Sequence, residues 1–496
     1  MADNHMRGLE TEVRKTRREI FKEIALIAYH SEKLVDDIEA LPYKLANKEK
    51  SRYWESIYRE RAVNRERIRL ALGMSLRPEN QPVNVSYGIE ESNIAEKYYE
   101  PPLMQVIPTA CNACPENEYS VTDHCMGCVA HPCAHVCPRN AISMENGKSH
   151  IDQSKCIKCG KCKQVCPYDA ISHRERPCKR ACGVDAIESD EYGRAIINSE
   201  KCVSCGMCMV SCPFGAIADK SQIFQLIRAM QTGRPIYAQV APAFVGQFGK
   251  GVNPNVIKNA LLELGFAGVY ETAIGADQGA MAEAEHYVKA VATGELPFLL
   301  TSCCPSWASM AKKLFPETIS NISNELTPMV ATARKIKEEH PEAGVVFIGP
   351  CASKKLEASR RTVRSDVDFV ITFEELQGML DAKEIDITTL NEAEPLNDAT
   401  GAGRGYGVAG GVAAAIEKCI ETYYPETEVH IEHAEGLAEC KKILLLAKAG
   451  KMNGCLIEGM ACPGGCIAGA GTNIPIMQAQ RELDLFKKQA DKEIPD

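Results

Sequence analysis

The chain has 496 residues, which corresponds to roughly three domains of ordinary size. Its 57 basic and 66 acidic residues give a net charge of −9, which argues against a general nucleic-acid binder and against an anionic membrane surface as the main partner. No apolar run approaches the ~20 residues of a membrane-spanning helix. The first residues are charged where a secretory signal would be apolar. We therefore expect a cytoplasmic protein with no membrane or nucleic-acid partner.

Residues 1–105 are predicted to form an N-terminal helical region and a linker. Apolar residues recur there at helical spacing among many charges. Pro42 is expected to interrupt the first helical stretch, and a second is expected from about Lys48 to Leu72. Several prolines after residue 75 indicate the linker. The simplest interpretation is an amphipathic helical hairpin packed on the rest of the chain.

Cysteine is the informative residue type, because 24 are present and sixteen of them lie between Cys111 and Cys212. The chain is too long for a small secreted disulfide scaffold. Within residues 106–218, four segments share one ending: CPRNAI, CPYDAI, CGVDAI and CPFGAI. Such a repeat predicts a modular metal-binding domain. Because an oxidising compartment would endanger its thiolates, we expect a cytoplasmic protein of an anaerobic organism.

Two of these cysteine runs have the spacing C-x2-C-x2-C-x3-C-P, which is the bacterial ferredoxin pattern for [4Fe–4S] clusters. Zinc sites rarely use four-cysteine runs that end in Cys-Pro. The other eight cysteines are less regular, and a structural zinc stays an alternative there. The regular runs are Cys156, Cys159, Cys162 and Cys166, and Cys202, Cys205, Cys208 and Cys212. The irregular positions are Cys111, Cys114, Cys125, Cys128, Cys133, Cys137, Cys178 and Cys182.

The sixteen cysteines together resemble the four-cluster ferredoxin subunits of complex redox enzymes. That resemblance implies up to four [4Fe–4S] clusters in an α+β ferredoxin-like domain, with partner exchange between the runs. The implied ligand sets are Cys125/Cys128/Cys133/Cys166, Cys156/Cys159/Cys162/Cys137, Cys111/Cys114/Cys178/Cys212 and Cys202/Cys205/Cys208/Cys182.

Residues 219–480 alternate short apolar runs with helical stretches, which predicts parallel strands with crossover helices. Residues 481–496 are predicted to be a charged tail. A glycine-rich stretch, residues 405–410, fits G-x-G-x-x-G, but no strand is predicted before it, so dinucleotide binding is not expected. Three further cysteines without ligand spacing are interpreted as buried thiols: Cys419, Cys440 and Cys455.

Three separated motifs in this segment are TSCCPSW (301–307), GPCASKKLE (349–357) and EGMACPGGC (458–466). In type and order they resemble the signature motifs of [FeFe]-hydrogenases, and the chain resembles the shorter group B branch. The resemblance implies an α/β catalytic domain of two parallel-sheet lobes flanked by helices. Between the lobes it places an H-cluster, a [4Fe–4S] cluster bridged to a diiron subsite with CO, cyanide and dithiolate ligands. The implied cubane ligands are Cys304, Cys351, Cys462 and Cys466, the last also bridging to the diiron subsite.

The same resemblance implies a proton path to the buried site. Cys303, beside a ligand, would exchange protons with the dithiolate amine, whereas a lone buried cysteine is otherwise a small apolar side chain. Glu283 and Ser323 match the relay that follows, although Glu283 alone would be read as a solvated helix carboxylate. The next relay position is usually glutamate and is His286 here. The outer end of the path is therefore left open.

Further residues are implied to surround the diiron subsite. Lys354 would bind one cyanide by a charge-assisted hydrogen bond, and Met460 would pack on the bridging ligand. Pro242 and Ala243 correspond to a Pro-Ser pair in many family members, so Ala243 lacks the hydroxyl expected near the second cyanide. This loss is expected to alter the surroundings of the cofactor.

The function implied by the resemblance is reversible H₂ formation from protons and electrons. Electrons would come from a ferredoxin-like partner through the clusters of residues 111–212, and maturation proteins would install the diiron subsite. Three alternatives stay open: an H₂ sensor, an electron-transfer subunit of a larger complex, and an iron–sulfur assembly factor without H₂ activity. The combination of Cys303, Glu283, Ser323, Lys354 and Met460 argues against the assembly factor.

Overall fold

The structure is a computed structural model that describes residues 6–47, 51–396 and 398–496. Its N-terminal region is helical, as predicted. The side chains of Thr11 and Ser56 cap the first and third helices by accepting a backbone N–H from the first turn. The three helices are α1 (Glu12–His30), α2 (Leu34–Leu45) and α3 (Ile57–Ala71).

The position of the first helix break was predicted wrongly. The break lies at residues 31–33, and Pro42 lies inside α2. Proline removes one backbone hydrogen bond from a helix. The apolar residues that α2 buries, Ile38, Leu41 and Leu45, lie on both sides of it. Their burial, about 1.5–3 kcal/mol for each fully buried side chain, outweighs that loss.

The second predicted helical stretch is shorter than expected. Its expected start at Lys48 lies outside the described residues, and α3 begins only at Ile57, after the Ser56 cap. Its end agrees with the prediction, because Gly73 has a φ of 85° just after the helix. The linker that follows contains one short helix, α4 (Ile89–Ser92).

The cysteine-rich segment is built from short antiparallel strand pairs and one-turn helices. The pairs are β1 (Met104–Val106) with β8 (Ile217–Asp219), β2 (Asn117–Val121) with β5 (Ile171–Glu175), β3 (Ile142–Glu145) with β4 (Lys148–Ile151), and β6 (Ile187–Ser189) with β7 (Ala195–Ile197). The helices are α5 (Pro132–His135), α6 (Lys161–Gln164), α7 (Pro177–Arg180) and α8 (Met207–Ser211).

The four repeated endings adopt one common turn. The fourth residue of each ending has a positive φ, at Asn140 (47°), Asp169 (47°), Asp185 (53°) and Gly215 (57°). Asn, Asp and Gly are the residues that tolerate this left-handed conformation best. The turn explains why the repeat keeps these residue types between its cysteine and its alanine.

Residues 219–480 form two parallel sheets flanked by helices, which confirms the predicted fold class. Parallel strands covered on both faces are expected to be continuous apolar runs, and β12 is buried at every residue. One sheet has the order β10 (Gly268–Glu271), β9 (Ile236–Val240), β12 (Gly344–Gly349) and β13 (Phe369–Thr372). The other has the order β11 (Leu299–Leu300), β15 (Cys455–Met460) and β14 (His430–Glu435).

The helices around the two sheets vary from one turn to four. They are α9 (Ile223–Gln231), α10 (Pro254–Leu264), α11 (Ala273–His286), α12 (Pro305–Leu314), α13 (Pro328–Glu339), α14 (Ser353–Glu357), α15 (Phe373–Ala382), α16 (Gly401–Gly405), α17 (Gly411–Tyr423), α18 (Leu437–Lys448) and α19 (Ile476–Lys487). Within the described ranges, no helix is long and apolar enough to cross a membrane.

Residues 481–496 were predicted to be a charged tail, but the first part of this segment is a packed helix. Residues 481–487 belong to α19, where Leu483 and Phe486 are buried. The ring of Phe486 packs edge-on against Phe244, with 5.5 Å between centroids. The guanidinium of Arg404 lies 3.9 Å from the Phe486 ring centroid. These apolar residues occur among lysines and acidic residues, so the high charge content of the segment gave no indication that they are buried.

The N-terminal helices are fastened to the α/β segment by buried charges. Glu374, at the start of α15, pairs with Arg14 of α1 at 2.9 Å and also with Arg17. Arg14 donates a further hydrogen bond, at 2.6 Å, to the carbonyl of Thr472. The helical region therefore packs on the α/β segment, as the simplest interpretation of its sequence expected.

Candidate active site

The loops that carry the three motifs all follow the carboxyl ends of parallel strands. Pro242 follows β9, Cys303 follows β11, Cys351 follows β12 and Cys462 follows β15. In parallel α/β sheets, ligand sites form in the crevice beyond these strand ends. The fold therefore brings motifs from residues far apart in sequence to one place.

These loops enclose a cavity of about 80 Å³. Its wall contains most of the residues predicted around the H-cluster, together with Cys205 from the cysteine-rich segment. Ala243 does not line it and is buried, with 1% exposure. No group of three His, Cys, Asp or Glu side chains in the described ranges is placed to hold one metal ion. The predicted residues on the wall are Cys303, Cys304, Cys351, Cys462, Cys466, Lys354, Met460 and Pro242.

The donor set on this wall fits an iron–sulfur cubane. The four predicted ligands are free cysteines from three loops, and four thiolates are what a [4Fe–4S] cluster requires. Burial raises the pKa of Cys351 and of Cys462 to about 12. Their thiolates therefore need a metal that displaces the protons. Backbone N–H groups of residues 306, 307 and 461 donate to the sulfur of Cys304, as is usual at cluster sulfurs.

Lys354 is a buried cation on the cavity wall. Its Nζ lies 2.7 Å from the carboxylate of Glu357 and donates to the carbonyl of Cys303 at 3.2 Å. Glu357 in turn accepts a hydrogen bond from the Thr327 hydroxyl at 2.5 Å. The carboxylate keeps the pKa of Lys354 raised. The ammonium group is thereby held charged beside the cavity, where it can bind an anionic ligand atom.

Glu283, on α11, is the carboxyl group that the family resemblance implied for a proton relay. Its carboxyl is 4% exposed and accepts hydrogen bonds from the Ser323 hydroxyl and the Ser302 N–H. Burial raises its pKa to about 7. Cys303 lies near enough for the charge of Glu283 to act on its thiol. A carboxyl group with a pKa near 7 gives and takes protons with similar ease at neutral pH.

The structure does not join His286 to this connection. Its Nδ1 is buried without a hydrogen-bond partner among the described residues, and no hydrogen bond links it to Glu283. The half-buried Glu325 adjoins the connection instead: its backbone N–H donates to the Ser323 hydroxyl at 3.3 Å, and the charge of its carboxylate acts on Glu283. Sequence spacing missed Glu325. Its position two residues after Ser323 was the available signal.

Two of the implied ligand sets lie in the part of the cysteine-rich segment that contacts the α/β segment, here called its inner half. Within each of these two sets, the cysteines lie near one another. Cys178 is near enough to Cys111, Cys114 and Cys212 for their charges to interact. Cys208 has the same relation to the three other members of its implied set. The loop of Cys205 is fastened to the α/β segment by the hydroxyls of Ser306 and Ser353, which donate to the Val203 carbonyl at 3.1 and 3.2 Å.

In the outer half, one implied set surrounds a small cavity of about 20 Å³: Cys125, Cys128, Cys133 and Cys166. Cys156, Cys159 and Cys162 of the other set lie near one another, and the thiol of Cys159 is exposed. Within the described ranges, no hydrogen bond links Cys137 to these three cysteines. The inner sets therefore lie towards the active-site cavity, and Cys159 lies at the surface.

The repeated turns place backbone donors on the cluster cysteines. The N–H of the alanine four residues on donates to the sulfur of Cys137 at 3.3 Å, of Cys182 at 3.2 Å and of Cys212 at 3.4 Å. Such hydrogen bonds stabilise thiolate ligands and tune cluster potentials. These contacts agree with iron–sulfur ligation by the repeats.

The structure also locates the three cysteines without ligand spacing and the glycine-rich stretch. Cys419 and Cys440 are buried, as expected, and Cys455 is half-buried. The glycine-rich stretch follows helix α16 rather than a strand. It contributes Tyr406 and Gly407 to the cavity wall, and sequence reasoning had not named Tyr406.

Comparison with known proteins identifies the family. A family model described as the iron only hydrogenase large subunit, C-terminal domain, matches residues 234–470. The periplasmic [Fe] hydrogenase large subunit of Nitratidesulfovibrio vulgaris is 30% identical over 378 residues, covering 66% of this chain and 86% of that relative. The chain belongs to the iron-only hydrogenase family. Iron hydrogenase 1 of Clostridium pasteurianum is 28% identical over 390 residues, covering 68% of this chain and 67% of that relative.

Other comparisons cover parts of this iron-only hydrogenase family member. A 4Fe-4S binding domain matches residues 149–172, and an LdpA Fe-S cluster-binding domain matches residues 172–223. An apo [FeFe]-hydrogenase structure from Chlamydomonas reinhardtii aligns with 52% of this chain and 86% of that chain, at 24% identity and a TM-score of 0.45. The cytosolic Fe-S cluster assembly factor NAR1 of Kluyveromyces lactis is 39% identical over 88 residues, 18% of this chain and 19% of that relative.

Proposed function

We propose that this chain is an [FeFe]-hydrogenase that catalyses the reversible reaction of two protons and two electrons to give H₂. The observation that carries the proposal is the position of Cys303. It lines the cavity beside the predicted ligand Cys304, and its thiol lies near Glu283, which is hydrogen-bonded to Ser323. A thiol that is not needed as a ligand, and that feels the charge of a carboxyl group bonded to a hydroxyl, suits proton transfer.

In this proposal the active-site residues divide into holders and proton carriers. Cys304, Cys351, Cys462 and Cys466 would hold the cubane, and Cys466 would also serve the diiron subsite. That cofactor, when bound, would supply an iron site for making and splitting H₂. Lys354, whose positive charge is held in place by Glu357, would bind an anionic ligand of the diiron subsite. Met460 and Pro242, on the cavity wall, would pack against it.

Protons pass between Cys303 and solvent along Glu283 and Ser323, and the outer end runs past Glu325 rather than His286. The charge of the Glu325 carboxylate acts on Glu283, which supports this assignment. The raised pKa of Glu283, about 7, matches a group that must be protonated and deprotonated in each cycle. Oriented hydroxyl and carboxyl groups pass protons well because their hydrogen bonds polarise one another.

Electrons enter through the cysteine-rich segment in the same proposal. A cluster bound by the exposed Cys159 would lie at the surface, where a ferredoxin-like partner could reach it. A cluster bound by Cys205, which lines the cavity, would lie beside the active site. Up to four clusters would join these points. Maturation proteins would install the diiron subsite, and a cytoplasmic location suits these oxygen-sensitive groups.

The proposal is tested by H₂ evolution from reduced viologen, with anaerobic protein whose clusters are reconstituted and whose diiron subsite is loaded. Infrared bands of CO and cyanide report loading independently of turnover. We expect bands and steady H₂ evolution. Bands without turnover in either direction would contradict the proposed catalysis and favour an H₂ sensor. Loading without bands or turnover would contradict the cofactor assignment as well.

The similarity to NAR1 supports a second candidate, an iron–sulfur cluster assembly factor. That similarity covers only 18% of this chain. In addition, an assembly factor does not need a proton relay to a buried thiol, so the residues around Cys303 favour the hydrogenase. The two functions differ in a measurable way. An assembly factor would transfer its clusters to an apo acceptor protein and would show no CO or cyanide bands after diiron loading.

A further inference from the structure

Tyr406 carries a polar group on the cavity wall that lacks a partner in the described part of the chain. Its side chain is 7% exposed, and its hydroxyl is fully buried without a hydrogen bond. A buried hydroxyl loses its hydrogen bonds to water, and this desolvation is unfavourable unless another acceptor replaces them. The residue lines the same cavity as Cys303, Lys354 and Met460.

The two carboxylates near Tyr406 already accept from other donors. The charges that act on its hydroxyl are those of Glu283, Cys303, Cys419 and Glu458. Of these, Cys303 lies on the cavity wall. Glu283 accepts hydrogen bonds from two serine residues, as described above. The two oxygens of Glu458 accept the N–H groups of Gly410 and Ala413, each at 2.8 Å. The Tyr406 hydroxyl forms no hydrogen bond to any of these groups in the described part of the chain, and Tyr406 lines the cavity. An acceptor held in the cavity would therefore be available to it.

The position of Tyr406 also bears on the hydroxyl that is missing at Ala243. The next residue, Gly407, packs against Pro242 and the backbone of Ala243, since a methyl group added to it would lie 3.7 Å from each. Tyr406 therefore belongs to the wall that Pro242 helps to form. The chain lacks a donor at Ala243, which is buried off the wall, and has one at Tyr406.

We propose that the Tyr406 hydroxyl donates a hydrogen bond to an anionic ligand atom of the diiron cofactor. This inference rests on the proposed function. An O–H group that binds an anion forms a shorter and stronger hydrogen bond than a neutral pair does. Tyr406 and Lys354 then hold the cofactor with two donors, and Tyr406 is a cofactor-binding residue.

The test compares Tyr406→Phe with a matched control, Tyr287→Phe. Tyr287 is 2% exposed, and its hydroxyl donates to the carbonyl of Gly454 at 2.7 Å, away from the cavity wall. Both variants carry reconstituted iron–sulfur clusters and are measured before and after loading of the diiron subsite. The readouts are the Tm and the infrared frequencies of the CO and cyanide ligands.

Before loading, we expect Tyr287→Phe to lower the Tm, because the Gly454 carbonyl loses its partner, and Tyr406→Phe to leave the Tm unchanged or raise it. After loading, Tyr406→Phe should shift at least one CO or cyanide band by more than the control does. Its gain in Tm on loading should be smaller than that of the wild-type chain.

Bands at wild-type positions in Tyr406→Phe would overturn the inference and leave the proposed function intact. A loss of Tm before loading as large as that of Tyr287→Phe would also overturn it, since the hydroxyl would then have a protein partner. A wild-type chain that shows no bands after loading would overturn the proposed function, and this inference with it.

Discussion

Replacing Glu283 by glutamine keeps its size and its hydrogen-bond acceptor but removes its ability to carry a proton. Glutamine has nearly the same shape, and its amide oxygen can still accept from the Ser323 hydroxyl and the Ser302 N–H. It cannot exchange a proton at neutral pH. The substitution should therefore preserve packing but remove a proton carrier next to Cys303.

The magnitude of the stability effect follows from the pKa. Burial raises the pKa of Glu283 from 4.5 to about 7, and each pKa unit corresponds to about 1.4 kcal/mol. Between pH 4.5 and about pH 7, Glu283 is protonated in the folded chain and ionised in the unfolded chain. The free energy of unfolding therefore falls as pH rises through this window. The fall from this one group amounts to roughly 3 kcal/mol, and Glu283→Gln should abolish it.

The assay has two parts on the same preparations. Tm is measured between pH 4 and 8.5, where Glu283→Gln should lose less stability than the wild-type chain as the pH rises. Turnover of the loaded protein should fall by roughly 10²–10⁴-fold, the usual contribution of a general acid–base group. The control is Glu285→Gln, on the same helix, which is exposed and paired with Lys289, and it should change neither result.

The outcomes refute different parts of the reasoning. Wild-type turnover in Glu283→Gln would refute the proton path, even if the pH dependence of Tm became flatter. An unchanged pH dependence of Tm would refute the argument that burial raises the pKa of Glu283.

Three further substitutions test other parts of the molecule. Cys303→Ala should keep the visible absorbance of the clusters and lose most turnover, by roughly 10²–10⁴-fold; full turnover would contradict its role. Arg404→Met should destabilise the fold by about 3–5 kcal/mol in chemical denaturation, because it leaves the buried carboxylate of Glu271 without its bidentate partner. Gly459→Ala would place a methyl group 2.1 Å from the Trp307 ring, so we expect a Tm loss equivalent to about 1–3 kcal/mol, and an unchanged Tm would refute this packing argument.

The parts of the fold that were predictable are those in which one residue pattern has one physical solution. The buried strand β12 is an uninterrupted apolar run, as a parallel strand covered on both faces should be. The cysteine spacing predicted the iron–sulfur segment because cluster geometry limits how ligands can be arranged. The three motif loops meet because parallel strands place their carboxyl ends together.

The errors arise where long-range packing outweighs local preference. Pro42 was expected to interrupt a helix, but apolar residues on both sides of it are buried in α2. Residues 481–487 were expected in a charged tail, but Leu483 and Phe486 are buried. Local sequence carries no information about the distant residues that cover these side chains. Neither the proline nor the charge content was therefore enough to predict the local structure.

In the candidate site, too, features set by a local sequence pattern were predictable and features set by spatial neighbours were not. The cysteines on its wall were predictable from motifs, whereas the positions of Tyr406 and Glu325 were not, because these depend on which groups lie beside them in space. His286 was named because it occupies the position at which the family usually has the next relay glutamate. In the structure, the charge of Glu325 acts on Glu283.

The central claim is that this chain makes and splits H₂ at the cavity between the two sheets. It is tested most directly by isotope exchange, in which loaded protein in H₂O is exposed to D₂ and the gas phase is followed by mass spectrometry. Exchange requires no electron partner and does not depend on the direction that the protein favours. We predict formation of HD, and its loss in Cys303→Ala. Protein that shows CO and cyanide bands but forms no HD would contradict the claim.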